Sequence, residues 1–251
     1  MKNIIVLLFI GLIFGSESFV VLHGNAKALY EMNAMPDSEE TVTLQFQTVF
    51  RGKKIDLNQP AQKDFPSLQM LRFYLSNFVF LKDGSTVFEE KNSQHLLDLE
   101  DEKTLVLKFN LPENLDFNSL NFDLGIDSLT NVSGAMGGDL DPTKGMFWTW
   151  QSGYVNFKLE GTFAKCPTRN HEFQFHLGGY LAPFQSVQEV RLSSPKDLST
   201  FQKLTNLQLQ LDLTPFFENV DWAKKYSIMS PCKEAVEASK ILANSFSIHA
   251  E

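Results

Sequence analysis

The stretch from Leu140 to Tyr154 reads Leu-Asp-Pro-Thr-Lys-Gly-Met-Phe-Trp-Thr-Trp-Gln-Ser-Gly-Tyr and contains two of the three tryptophans, Trp148 and Trp150. Side chains two residues apart in a β-strand point to the same face, so we expect the two indoles to lie side by side. The Asp-Pro pair before them and the Ser-Gly pair after them are typical of turns. The stretch therefore predicts a short aromatic strand between two turns, and the usual role of such a strand is burial in a core.

Apolar and polar residues alternate in many short segments on both sides of this stretch. The clearest case is Leu207–Leu213, in which four leucines share one face and Gln208, Gln210 and Asp212 the other. The segment 71–82 also reads as a strand, with a bend near Ser76 and Asn77. After Pro215 the spacing becomes helical. Many short strands with no alternating helix predict an all-β fold, an antiparallel, immunoglobulin-like β-sandwich over residues 19–215 with a helical C-terminal extension over 216–251.

The N-terminus indicates export. A single lysine, an apolar run from Ile4 to Phe14 and small residues after it predict a secretory signal peptide over residues 1–18. No later run is long enough for a membrane span, so the mature protein is expected to be periplasmic or secreted. The net charge of −8 and the lack of a basic stripe argue against a nucleic-acid partner.

A long loop rich in Gly, Ser, Asn and Asp is predicted from Asp127 to Gly145, and loops of this length are usually functional or disordered. The carboxylates near it are candidates for Ca²⁺ ligands or simply turn residues, the second being favoured because their spacing fits no defined calcium loop: Asp123, Asp127, Asp139 and Asp141. Asn131-Val132-Ser133 is a glycosylation sequon by pattern.

No local motif for catalysis or metal binding is present. The five histidines lack the spacing of a metal motif, and no nucleophile–base set is visible, so an enzyme is not predicted. A β-sandwich can still bring distant histidines together, and imidazole suits copper. Cys166 and Cys232 are a possible disulfide in an oxidising compartment.

Several motifs together resemble the MbnP-like family, in the form found in the Bacteroidetes. The motifs are Leu71-Arg-Phe-Tyr-Leu-Ser-Asn77, His95-Leu-Leu-Asp98, Leu124–Ala135, Leu140–Tyr154, Lys158-Leu-Glu-Gly161 and Phe173-Gln-Phe-His-Leu-Gly-Gly-Tyr180. The resemblance covers roughly residues 41–215. It implies an exported β-sandwich that binds copper through histidines, and a tryptophan oxidised to kynurenine by a di-haem cytochrome c peroxidase-like partner of the MbnH type.

The resemblance also implies which residues carry these roles. His95 and His176 would be the copper ligands, within roughly 5 Å of each other if they share one ion. Trp148 or Trp150 would be the modified residue, and both are expected on one strand near His176. Further ligands could come from His171, His23 or Asp98. The chain departs from some relatives in its first strand, where Gln45–Phe50 contains no histidine. The alternative is a β-sandwich that binds a protein or small ligand without metal.

Overall fold

The computed structural model describes residues 39–60, 62–150, 153–194 and 205–250, so the predicted signal peptide lies outside the described residues. Alternating segments of the sequence form strands throughout. In chain order the strands are β1 Glu39–Phe50, β2 Lys53–Lys54, β3 Ser67–Lys82, β4 Ser85–Glu89, β5 Gln94–Asp98, β6 Val106–Pro112, β7 Ser119–Leu124, β8 Phe147–Trp148, β9 Gly153–Thr162, β10 Glu172–Gly178, β11 Gln188–Ser193, β12 Asn206–Asp212, β13 Ser227–Ile228 and β14 Phe246–Ala250. The α-helices are α1 Ser128–Val132, α2 Thr214–Asn219 and α3 Lys233–Ala243.

The strands form two sheets that pack as a sandwich. The smaller sheet has the order β14-β12-β1-β2, with β6 also paired to β1. The larger has the order β11-β7-β3-β9-β10-β13, with β4 and β5 paired to β3 and β8 paired to β9. Most pairs are antiparallel as predicted, but β1 pairs with β12 in parallel over seven residues and β10 with β13 over two.

Strand β3 is the centre of the larger sheet because it pairs with four other strands. Its first half lies between β9 and β5, and its second half lies between β7 and β4. The change of partner occurs at a register shift between Ser76 and Val79, where Asn77 has a φ of 56°. Asparagine tolerates this left-handed conformation better than most residues, which explains the predicted bend.

The core lies between the two sheets and is rich in phenylalanine. Phe46 of the smaller sheet meets Phe73 of the larger edge to face, with ring centroids 5.1 Å apart. Phe73 in turn stacks on Phe157 of β9 at 5.3 Å. The four leucines of the 207–213 segment are buried, as the alternation predicted. Edge-to-face aromatic pairs stabilise such a core beyond the area they bury.

The C-terminal extension contains strands as well as the predicted helices. Helix α3 ends at Ala243, and β14 follows it and pairs with β12 at the edge of the smaller sheet. Phe246 and Ile248 alternate with polar neighbours and are buried in the core. The extension is therefore part of the sandwich. Among the described residues, no helix is long and apolar enough to cross a membrane.

Candidate functional site

The long loop after β7 is folded onto the outer face of the larger sheet. It contains α1 and two 3-10 turns, Gly138–Leu140 and Pro142–Lys144. The Asp127 carboxylate accepts a hydrogen bond from the Thr130 amide and caps α1, and Asp141 caps the second 3-10 turn in the same way. These carboxylates therefore act as caps of the loop's own turns.

Beneath the loop lies a second apolar cluster, separate from the main core. Its buried members are Tyr74, Leu96, Ile126, Leu140, Met146, Trp148, Tyr154 and Val155. The two tyrosine rings meet edge to face at 5.8 Å. Their hydroxyls donate to backbone carbonyls of the loop, Tyr74 to Asp139 and Tyr154 to Leu140. Burial raises the pKa of both phenols.

Charged side chains fasten the end of the loop to the sheet. The Asp139 carboxylate accepts hydrogen bonds from the Leu96 amide at 3.0 Å and from Lys144 Nζ at 2.6 Å. Arg72 Nη1 donates to the Lys144 carbonyl, and its Nη2 donates to Glu100. The segment that precedes the tryptophans is thereby fixed at both strands β3 and β5.

The side chain of Asn131 joins the loop to β9. Its amide nitrogen donates to the carbonyls of Ile126 and Asp127, and its Oδ1 accepts from the Tyr154 amide at 2.8 Å. Asn131 is buried, so the sequon at 131–133 is inaccessible in the folded chain.

The tryptophan pair lies directly after this fixed segment. The two indole centroids are 5.5 Å apart and the rings are tilted by 39°. Trp148 is 9% exposed and belongs to the second cluster, whereas Trp150 is 62% exposed. The prediction that both lie on one strand is wrong, because β8 ends at Trp148 and Trp150 lies in the turn that follows. The turn nonetheless places the Trp150 indole beside the Trp148 indole.

A glycine on β10 makes room for the buried indole. A Cβ atom on Gly178 would lie 2.6 Å from Trp148 Cζ3 and 2.8 Å from the Tyr154 carbonyl oxygen. The Trp148 ring thus lies against bare backbone, two residues beyond His176 on the same strand. Trp148 therefore lies against the strand that contains His176, at a position two residues from that histidine along the chain.

His176 is nearly buried and points to the outer face of the sheet. Its Nε2 lies 2.6 Å from Glu160 Oε1. Burial lowers the pKa of the imidazole, while the hydrogen bond to Glu160 opposes that change. A neutral His176 carries its proton on Nε2, because a carboxylate only accepts. No described residue bonds to Nδ1, so its lone pair is open in the manner of a histidine that a carboxylate orients toward a metal.

His95 has a similar partner but points to the other face. It pairs with Leu75, whose side chain is in the main core, and its ring meets Phe78 and Phe109 at 5.7 and 6.0 Å. Its Nε2 lies 2.8 Å from Glu90 Oε2. Each histidine therefore has its own carboxylate.

The strand register separates these two histidines. Asp98, Arg72, Lys158 and His176 form one row across β5, β3, β9 and β10 on the outer face. Since β5 and β10 are three strand spacings apart, His95 and His176 are separated by roughly 14 Å across the sheet. Opposite faces and this separation exclude a shared ion, and the prediction that the two rings lie within roughly 5 Å is wrong.

The other predicted ligands do not complete a metal site. Asp98 forms an ion pair with Arg72 at 2.7 Å, and His171 Nδ1 donates to the Cys166 carbonyl in the turn before β10. His23 lies outside the described residues. Within the described ranges, no group of three His, Cys, Asp or Glu side chains is placed to hold a metal ion. The residues present thus do not form the two-histidine copper site that the resemblance implies.

The possible disulfide is not formed. Cys166 and Cys232 are free thiols, and each has a local role. Cys166 Sγ donates to the Glu172 carbonyl, and Cys232 Sγ accepts from the Ala235 amide at the start of α3.

Two kinds of functional residue were not predicted from the sequence. They are the carboxylates that bond the histidines, Glu160 and Glu90, and Gly178, which makes room for Trp148. Glu160 lies in the Lys158-Leu-Glu-Gly161 motif and Gly178 in the Phe173–Tyr180 motif, so the resemblance contained the signal. Glu90 had no comparable signal, because it lies outside the matching motifs.

Comparison with known proteins agrees with this architecture. The MbnP family model matches residues 39–230. No curated protein sequence matches the chain. Among solved structures, MbnP from Methylosinus trichosporium has a similar fold, with a TM-score of 0.57 and 17% identity over 85% of this chain and 99% of that one. Because the family model spans most of its length, the chain belongs to the MbnP family.

Proposed function

We propose that this chain is an exported, non-enzymatic protein whose tryptophan pair is oxidised by a di-haem peroxidase-like partner, with Trp150 as the residue that becomes kynurenine. The observation that carries the proposal is the well-exposed Trp150 indole, which lies 5.5 Å from the buried Trp148 indole. An exposed indole is accessible both to a redox partner and to the oxygen-bearing reactant. Membership of the MbnP family supports this assignment.

The surroundings favour oxidation that stays on the tryptophans. The nearby phenols of Tyr74 and Tyr154 donate to backbone carbonyls, which are poor proton acceptors. Oxidation of a tyrosine at neutral pH requires loss of its phenolic proton, and burial has raised the pKa of both. An indole can lose an electron without losing a proton. The oxidising equivalent therefore stays on Trp148 and Trp150 and does not move to the tyrosines.

The proposed conversion uses hydrogen peroxide as the oxidant. Two peroxide molecules are reduced to two waters through the partner's haems, and the C2–C3 bond of the indole breaks with one oxygen added to each carbon. One water then hydrolyses the resulting formyl amide and releases formate. The product has gained one oxygen and lost one carbon relative to tryptophan.

Peptide mass spectrometry tests this proposal. We expect the peptide containing Trp150 to show that mass change after incubation with the partner and peroxide. Trp150→Phe should abolish the change, whereas Trp148→Phe should slow it. Trp222, which is buried and donates from Nε1 to the Phe217 carbonyl, is the internal control and should stay unmodified. An unmodified Trp150 peptide would refute the assignment.

Copper binding is proposed from family membership, with His176 as its imidazole donor. His176 has an open Nδ1, a carboxylate on Nε2 and a position two residues before Gly178, against which the Trp148 ring lies. Copper titration of the purified protein tests this, with His176→Ala and His95→Ala as matched variants. We expect loss of binding for His176→Ala only. Equal binding by both variants and the unchanged chain would exclude this donor.

A further inference from the structure

The segments nearest Trp150 in the fold contain no charged residues, although the whole chain has 52 of them and a net charge of −8. The described residues of these four segments are 128–138, 145–150 with 153–157, 177–188 and 226–232. None of them contains Asp, Glu, Lys or Arg. We call the surface that they form the uncharged cap.

Contacts between the four segments join them into one surface. Ser128 Oγ donates to the Tyr180 carbonyl, which joins α1 to the segment after β10. The Tyr154 amide donates to Asn131, and the Trp148 ring lies against Gly178. A Cβ on Gly179 would lie 2.9 Å from Pro231 Cβ, which brings in the fourth segment.

The cap also holds nearly all the exposed large apolar side chains of the described residues; Val106 alone lies elsewhere. Leu129 is 79% exposed and lies in the segment 128–138, and Leu181 is 59% exposed and lies in the segment 177–188. The cap further includes Val132, Trp150, Phe184 and Met229. Contiguous exposed apolar surface of this kind indicates an interaction site.

We propose that the uncharged cap is the docking surface for the redox protein that oxidises Trp150, and that this partner presents an uncharged, apolar face around its own electron-transfer group. The inference rests on the proposed function, because the exposed indole lies within the cap. The absence of charged side chains in these segments supports an uncharged partner face. A charged group that the partner buried against them would lose its water without gaining an ion pair. Tryptophan, phenylalanine and methionine without charged residues are also the composition of protein interface cores.

The other possible occupants fit less well. An anionic membrane would repel a chain of net charge −8 that has no basic residue in the contact surface. A second copy would bring together two chains of the same net charge. Vesicle binding and self-association of the chain distinguish these occupants from the redox partner.

The test measures binding of the purified full chain to the di-haem peroxidase-like protein of the same host. Leu129→Asp and Leu181→Asp each place a charge in the cap at an exposed position, so the fold is expected to persist. Val106→Asp is the matched control outside the cap. We expect each cap variant to raise Kd about tenfold or more and the control to change it less than about twofold. The rate of peroxide-dependent oxidation at limiting partner concentration should fall in parallel.

Unchanged binding by both cap variants would overturn the proposal. So would binding of the chain to phosphatidylcholine vesicles, or self-association, that the cap variants abolish while partner binding is unaffected. The two proposals fail separately. If the cap variants weaken the complex but Trp150 is never oxidised, docking stands and the proposed oxidation is wrong. If Trp150 is oxidised at the same rate in the cap variants, the oxidation stands and docking elsewhere is indicated.

Discussion

At the scale of single residues, the site depends on which groups each side chain meets across the strands. His176 is a clear case, because burial and a carboxylate act on the same imidazole in opposite directions. The identity of that carboxylate, Glu160, follows from the register of β9 and β10 and not from spacing along the chain.

The lowered pKa of His176 predicts that acid destabilises the metal-free protein. Because the folded state holds this imidazole neutral, its contribution to stability is fully present above the unfolded pKa of about 6.5 and is lost as pH falls from there through the lower folded pKa. We expect the free energy of unfolding of His176→Gln, measured in urea, to fall less between pH 7.5 and pH 5.5 than that of the unchanged chain. An identical fall in both proteins would contradict this.

Gly178 is predicted to be essential for the position of Trp148. In Gly178→Ala the new methyl group would clash with the indole and with the Tyr154 carbonyl, so we expect a loss of about 1–3 kcal/mol and a changed near-ultraviolet circular dichroism signal from the indole pair. Gly137→Ala is the control, since a Cβ there meets nothing within 4 Å. Equal stability of the two variants would show that the ring does not need this glycine.

At the scale of elements, β12 provides a direct test of the predicted alternation. Leu209 is fully buried, so Leu209→Ala should lower the free energy of unfolding by about 2–5 kcal/mol in urea denaturation. Gln210→Ala on the opposite face loses one hydrogen bond with Gln47 and should cost about 1 kcal/mol or less. A loss below about 1 kcal/mol for Leu209→Ala would refute the inward orientation.

The alternation of apolar and polar residues predicted the individual strands better than it predicted which strands pair with each other. It indicated the inward leucines of β12 and the bend at Asn77, because both follow from local side-chain period and backbone preference. It did not predict the parallel pairing of β1 with β12, which depends on connections between distant segments. It also missed β14, because the short Phe246–Ala250 segment follows a helix and was assigned to it by helix propensity.

In the candidate site, too, local sequence patterns predicted neighbouring residues but not contacts between distant strands. The adjacency of the two indoles was predictable from their spacing, although a turn and not a continued strand produces it. The separation of His95 from His176 was not predictable, because the face of each residue depends on the register of its own strand. The long loop was expected to be functional, and its buried anchors, Tyr74 and Tyr154, could not be distinguished from ordinary core residues.

At the scale of the whole molecule, the C-terminal segment closes the sandwich. A chain that ends after Ser245 loses β14 and with it the buried side chains of Phe246 and Ile248. We expect a loss on the order of 4 kcal/mol, since burying each such side chain contributes roughly 1.5–3 kcal/mol.

Thermal unfolding followed by circular dichroism checks this prediction. Ser247→Ala, which keeps the strand and its apolar face, is the control and should unfold close to the temperature of the full chain. A truncated chain that unfolds at the same temperature as the full chain would show that the extension is an appendage.

The buried amide of Asn131 has a consequence for producing the protein. In a eukaryotic secretory host, oligosaccharyltransferase acts on the nascent chain before it folds and would meet an ordinary acceptor sequence at 131–133. A glycan added there would replace one of the two amide hydrogens that bond the Ile126 and Asp127 carbonyls, and it could not fit in this buried position beside the Tyr154 amide. Protein made in yeast or insect cells and carrying that sugar would therefore fold without the contact between α1 and β9. Bacterial expression would avoid the competition between glycosylation and folding.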